Sequence, residues 1–164
     1  MQTKEALLRR RSIRVFSTET LAPNVIEELV DSARFAPTAR NVQPWEFIAI
    51  TKKETLQKIA GLADNGRFIA DCALCIAVFC QDTKYYLEDG CAATENILIR
   101  AADLGLAGCW VAGDKKPYCD KVRELLKVPG GFKLVSLIAL GYSDAPISVP
   151  PKRALKEVLH WEEF

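Results

Sequence analysis

Three arginines and a serine crowd one short stretch near the start of the chain, Arg10-Arg11-Ser12-Ile13-Arg14. Guanidinium groups take phosphate through paired hydrogen bonds, and a hydroxyl adds another. If this segment is extended, Arg10, Ser12 and Arg14 share one face, and Ile13 and Val15 point the other way into a core. Phosphate ligands would then hang on a strand-like edge. A solvated basic helix end is the plainer alternative. Two more cations, Lys152 and Arg153, follow Pro150-Pro151 on a stiff spacer. Simple surface charge explains these equally well.

A second group is Ala36-Pro37-Thr38-Ala39-Arg40-Asn41-Val42-Gln43-Pro44-Trp45. Two prolines stiffen a loop of short polar side chains, and Asn41 offers both a donor and an acceptor. Such a loop can match the alternating acceptors and donors along the edge of a flavin ring; a helix stop followed by a turn is the simpler reading. A third group, Leu104-Gly105-Leu106-Ala107-Gly108-Cys109-Trp110-Val111-Ala112-Gly113, has glycines that let backbone approach a ligand. A helix cap and a short strand account for it too. Its glycines do not follow the dinucleotide-binding spacing G-x-G-x-x-G, and no phosphate-loop motif occurs.

These groups need elements to hold them. Residues 1–10 suit a short helix, and Pro23 opens another with Ile26, Leu29, Val30 and Ala33 on one face. Trp45–Thr51 reads as a strand. Lys53–Ala63 is a helix with Leu56, Ile59, Ala60 and Ala63 inward, and Asn65-Gly66 is a turn. The apolar run Ala73–Cys80 predicts a strand covered on both faces. Leu87–Leu104 is the longest helix, ended by Gly105. Ala107–Val111 and Lys133–Tyr142 are strands, with a helix over Pro117–Leu126 between them. A proline-rich tail follows and closes in an amphipathic piece, Ala154–Trp161. This order predicts one layered α/β or α+β domain over residues 1–164. The tail, residues 150–164, carries Leu155, Val158, Leu159, Trp161 and Phe164, which a neighbouring subunit could cover by arm exchange.

Bulk properties narrow the classes. The 164 residues are 49% hydrophobic and 26% charged, ordinary for a globular domain. A net charge of +1 argues against a protein built to wrap nucleic acid. No apolar run approaches the ~20 residues that span a bilayer. The polar N-terminus does not read as a secretory signal, and the six cysteines sit mostly in apolar runs. Reduced thiols and a cytoplasmic location are therefore expected. Cys72-x-x-Cys75 has no second pair and no suitable histidine, so a metal or thiol-redox site is not expected. The one histidine, His160, lies in the tail and reads as structural.

Taken together and in this order, the R-R-S-x-R start, the A-P-[ST]-x-x-N-x-Q-P-W loop, the L-G-L-x-x-C-W run, Gly141-Tyr142 and the K-R tail resemble the nitroreductase family of flavoproteins. The resemblance runs from residue 10 to about residue 161. It implies an α+β three-layer fold, with a mostly antiparallel central sheet flanked by helices, forming an intertwined homodimer with FMN at the subunit interface and C-terminal arm exchange. By position it implies that Arg10, Arg11, Ser12 and Arg14 contact the phosphate, the ribityl chain and the N1–O2 side of the ring. Lys152 and Arg153 would reach the phosphate. Pro37, Thr38, Ala39 and Asn41 would approach from the partner. Asn65 would meet the pyrimidine edge. Val111, Ala112 and Gly113 would line the ring, with the N–H groups of Ala112 and Gly113 facing N5 and O4. The implied activity takes hydride from NAD(P)H and reduces a small organic acceptor, such as a nitro or quinone compound, by a ping-pong scheme. The flavin carries the chemistry, so no catalytic side chain is needed. The chain is short for the family and has little room for inserted helices over the ring. Its acceptor pocket would be open, or built by the partner or by Tyr85 and Tyr86. A specialised flavin enzyme with another substrate, or a basic non-enzymatic binding module, are the competing readings.

Overall fold

A computed structural model describes residues 2–164. Four strands, β1 (Trp45–Ile50), β2 (Leu74–Gln81), β3 (Ala107–Ala112) and β4 (Phe132–Gly141), form one sheet in the order β1-β2-β4-β3. Every neighbouring pair is antiparallel. The apolar run at 73–80 becomes β2, paired on both sides and buried at every position except its last, Gln81. Burial on both faces is why it lacks polar alternation.

Among the described residues there are five helices, α1 (Thr3–Arg9), α2 (Pro23–Ala33), α3 (Lys53–Leu62), α4 (Tyr86–Asp103) and α5 (Cys119–Leu125); the first packs on α4 and the others cover the sheet. On one face, α2 and α4 pack over Leu74, Ile76, Val78, Ile138 and Leu140. On the other, α3 and α5 pack over Cys75, Ala77, Phe79, Leu137 and Ala139. Alternate residues of β2 thus feed two separate cores, and the domain is a three-layer α+β sandwich. Each fully buried Leu, Ile or Phe contributes about 1.5–3 kcal/mol.

The small residues of α4 matter for its placement. A Cβ on Gly90 would lie 2.7 Å from Cγ2 of Val135, so helix and strand meet at a distance that only glycine allows. Beside it, the buried Thr94 hydroxyl bonds that of Ser136 at 2.8 Å and donates to the Gly90 carbonyl at 2.8 Å. Gly105 leaves α4 at φ +76°, the left-handed turn expected of a helix-ending glycine.

Several expectations shift. The first helix spans Thr3–Arg9, and Met1 lies outside the described residues. Val15 does not enter the core: it is 65% exposed, whereas Phe16 packs on the α3/α5 side. The segment runs along a sheet edge, so its own chain covers only part of it. The amphipathic tail piece reduces to one turn, Leu155–Glu157, and residues 146–164 are exposed throughout. No described helix is long and apolar enough to cross a membrane.

Candidate functional site

The arginine-rich segment lies extended against the outer edge of β3. Ser12 pairs in parallel with Gly108, and the Ile13 N–H donates to the Gly108 carbonyl at 3.0 Å. Further on, the Ser17 N–H donates to the Tyr142 carbonyl at 2.8 Å. The segment thus behaves as a short extra strand, which places its cations beside the β3 edge.

Beyond Gly108 that edge is open. In an antiparallel ladder, alternate residues turn their backbone groups toward the neighbouring strand and away from it. Gly113 turns inward, and its N–H donates to the Val135 carbonyl at 3.0 Å. Trp110 and Ala112 have the opposite parity, so their N–H groups point outward. This corrects one expectation: Ala112 can present an N–H to a ligand, but that of Gly113 is committed to the sheet. Gly113 is needed for space instead, because a Cβ there would lie 2.5 Å from the Leu134 carbonyl oxygen.

A cavity of about 130 Å³ opens on this edge, and Arg14, Asn65, Val111 and Ala112 line it together. Four expected residues from three separate parts of the chain therefore meet. Phe68, Lys116 and Tyr118 complete the walls, and motif reading missed all three. The Arg14 guanidinium sits 5.7 Å from the Phe68 ring centroid, a cation–π contact that helps to hold it. The Tyr118 hydroxyl donates to the Ala112 carbonyl, and burial pushes that phenol up to about 12. Cys109 also lines the cavity; burial raises its thiol, while Arg14, the Ser12 hydroxyl and Arg10 pull it back. Among the described residues no carboxylate lines this cavity.

A second cavity, about 250 Å³, lies beside the same segment and is lined by Arg9, Arg10, Arg11, Gly105 and Ser143 among others. Arg10 Nε stands 3.6 Å from Glu95 Oε1, and Arg11 Nη1 donates to the Arg10 carbonyl at 2.6 Å. Arg11 Nε is buried with no partner among the described residues. Ser12 itself is exposed.

The proline loop lies elsewhere. Pro37, Thr38, Ala39 and Asn41 line neither cavity. Arg40, Asn41 and Gln43 all hold positive φ, at 55°, 56° and 50°. Such backbone costs about 1–3 kcal/mol per residue and persists only where surroundings impose it. Lys152 and Arg153 also stand apart: both are exposed, and Arg153 donates to the Glu157 carbonyl at 2.6 Å. One copy of the chain thus brings together Arg14, Asn65, Val111 and Ala112, and separately the Arg10–Arg11 pair, but not the loop or the tail cations.

Cys72, Cys75 and His160 line neither cavity. Cys72 and Cys75 are free, buried thiols; burial raises Cys72 to about 11 and Cys75 well above its ordinary value. Among the described residues no group of three His, Cys, Asp or Glu side chains could hold a metal ion. His160 stacks on Phe164 at 4.3 Å.

The sequence matches the model of the nitroreductase family over residues 7–71 and 81–142. A relative from Archaeoglobus fulgidus, provisionally named an NADH dehydrogenase/NAD(P)H nitroreductase, is 35% identical over 141 residues, 81% of this chain and 80% of that protein. An NADPH-dependent FMN reductase of Bacillus subtilis is 30% identical over 98% of this chain and 73% of its own length. Among solved structures, an FMN-dependent nitroreductase from Clostridium difficile superposes with a TM-score of 0.90 at 26% identity, covering 98% of this chain and 99% of that one. The match takes in the edge segment, the proline loop and β3, the same parts of the chain that build the cavities and the strained loop, and the chain belongs to the nitroreductase family.

Proposed function

We propose that this chain is an NAD(P)H-dependent FMN oxidoreductase that reduces a small organic acceptor, such as a nitro or quinone compound, in two successive half-reactions at one site. The carrying observation is the cavity that gathers Arg14, Asn65 and the outward Ala112 N–H at the β3 edge. The pyrimidine edge of a flavin is rich in acceptors and becomes more negative on reduction. It asks for donors and positive charge, and these residues supply both without an opposing carboxylate. When bound, FMN supplies the hydride-accepting and electron-donating chemistry.

The chain's own groups do the rest. Arg14 places a cation at the N1–O2 side; at 4 Å and an effective dielectric of 20 such an attraction is about 4 kcal/mol before solvation. Asn65 offers an amide to the pyrimidine edge, and the Ala112 N–H fixes the opposite side of the ring. Arg10, Arg11 and Ser12 take the phosphate and ribityl end, beside the arginine-lined cavity, with Lys152 and Arg153 joining them. Pro37, Thr38, Ala39 and Asn41 come from a second copy. That arrangement is supported by their absence from the walls of both cavities within one chain and by the apolar side chains left exposed around them, Phe35 and Val42. Residues 1–164 then act as one domain whose last 15 or so residues form an arm.

The purified protein should be yellow, or become so when apoprotein is mixed with FMN, and NADH or NADPH should bleach it. A preparation that stays colourless with FMN supplied would end this reading. Arg14→Ala should weaken FMN binding about tenfold, equivalent to about 1.4 kcal/mol. It should also make the midpoint potential more negative by about 30 mV or more. Affinity and potential that both stay at wild-type values would remove Arg14 from the assignment.

A further inference from the structure

The strained proline loop has a single buried charge behind it. Backbone turns at Asn41 and Val42 close the loop on itself, and side chains brace it further through Gln43 N–H to Thr38 Oγ1 at 3.2 Å, Gln43 Nε2 to Asn41 Oδ1 at 3.1 Å, and Ala39 N–H to Asp89 Oδ1 at 3.2 Å. All but the last lie inside the loop and would move with it. The bond to Asp89 crosses 50 positions of sequence to the first turn of α4. The loop's exit is fixed separately, where the Gln81 N–H donates to the Pro44 carbonyl at 2.9 Å. Ala39 stands directly before the residues at positive φ, so its N–H is where the scaffold grips the strained turn.

Asp89 is only 5% exposed, the one charged residue among the buried polar side chains described. A carboxylate resists burial unless it is paired or hydrogen-bonded. At this position the N-terminal end of an 18-residue helix favours negative charge, and the Ala39 N–H supplies a donor. A cavity of about 170 Å³ opens between the loop and the start of α4, with Ala39 and Arg40 on one side and Thr83, Lys84, Tyr85 and Asp89 on the other, so the Asp89 bond reaches across a gap.

We infer that Asp89 is a positioning residue: by accepting from the Ala39 N–H it holds the strained loop, and hence Thr38, Ala39 and Asn41, in the shape that meets the flavin of the other protomer. The inference rests on the flavin reading above for its second half only. Loss of the acceptor frees the Ala39 N–H and lets residues 39–43 relax toward ordinary backbone.

The test uses the full chain as Asp89→Ala, Asp89→Asn and Ala39→Pro. Asp89→Asn keeps an acceptor oxygen on a side chain of the same shape. Ala39→Pro deletes the donor from the other side, and Thr38, at φ −130° and ψ 150°, already has the backbone that precedes proline. Amide exchange of the apoprotein reports on residues 38–43, and FMN titration reports on the site. Asp89→Ala and Ala39→Pro should each speed exchange and weaken FMN binding about tenfold, while Asp89→Asn stays within about threefold of wild type on both. Joining Asp89→Ala to Ala39→Pro should add little to either one, because both remove the same bond. Wild-type exchange in Asp89→Ala overturns the inference, as does Asp89→Asn behaving like Asp89→Ala. Faster exchange with unchanged FMN affinity overturns its link to the cofactor. A wild-type chain that takes up no FMN sinks the flavin reading instead, and the exchange rates still decide whether Asp89 holds the loop. If Asp89→Ala does not fold, Ala39→Pro and Asp89→Asn decide the matter on the same two measurements.

Discussion

Burial keeps the thiols in and just before β2 protonated. It raises Cys72 to about 11 and Cys80 to about 12, from an ordinary value of 9.0, with Asp89 and Cys91 adding to the effect at Cys80. A thiol raised in the folded state favours folding fully below pH 9, and this contribution is lost as pH climbs through the folded values, because the unfolded chain ionises first. The urea midpoint should therefore fall between about pH 9 and 12. Replacing Cys72 and Cys80 by alanine should flatten that fall; an equally steep loss in the double variant would place its cause elsewhere. At this scale the sequence was partly legible. Arg14, Val111 and Ala112 belong to contiguous motifs and Asn65 to a turn signal, and the fold brings them to one cavity. Phe68 and Lys116 carried no local mark, and Asp89 only a faint one. Their roles come from contacts across many positions, such as the 50 between Asp89 and Ala39, which spacing along a chain does not encode. Asp89 did leave one trace, as a carboxylate on a helix face otherwise built of Gly90, Ala93, Ile97 and Ala101.

Elements were legible wherever their surroundings were uniform. The run that becomes β2 is apolar because both faces are covered, and the three-to-four spacing of α3 reflects one core and one solvent side. The rule failed at Val15, where alternation assumes that the segment's own chain covers one face. The end of β3 shows a different limit: the sequence displays Gly113 as a glycine open to a ligand, while the fold uses it for clearance. A Cβ there would meet backbone atoms at 2.5–2.7 Å, which no rotamer change relieves. Gly113→Ala should destabilise the protein by about 2 kcal/mol through overpacking, lowering Tm by about 4–8 °C. The strand end carrying Ala112 must shift, so FMN affinity should fall with it. A variant with wild-type Tm and full FMN binding would show that the β3 edge is looser than its contacts indicate.

The whole molecule poses a question that its elements do not. Leu7 and Leu8 on α1 are 50% and 62% exposed, and in the tail Val149, Leu155 and Trp161 are 68%, 70% and 79% exposed. Exposed apolar side chains on this scale mark a surface meant to be covered. The tail has no fold of its own beyond one turn, so it gains little by lying free. A second copy would meet both needs: it would cover α1 and the tail, and it would bring the proline loop to the cavity that lacks it. We therefore expect a dimer whose interface reaches the ~2,000 Å² or more typical of permanent assemblies. Of the three tryptophans, Trp45 is already buried in the chain and Trp110 partly so, which makes Trp161 the reporter of arm docking. Its emission should be that of a shielded indole in the intact protein and shift red on dilution below the dimer dissociation constant. Deleting residues 150–164 removes the apolar arm together with Lys152 and Arg153, so dimer stability and FMN content should fall together. Lys152→Ala/Arg153→Ala separates the two effects, since it should lower FMN affinity and leave the dimer intact. A truncated protein that stays dimeric at low concentration and keeps its full complement of FMN would show that the arm covers nothing the site depends on.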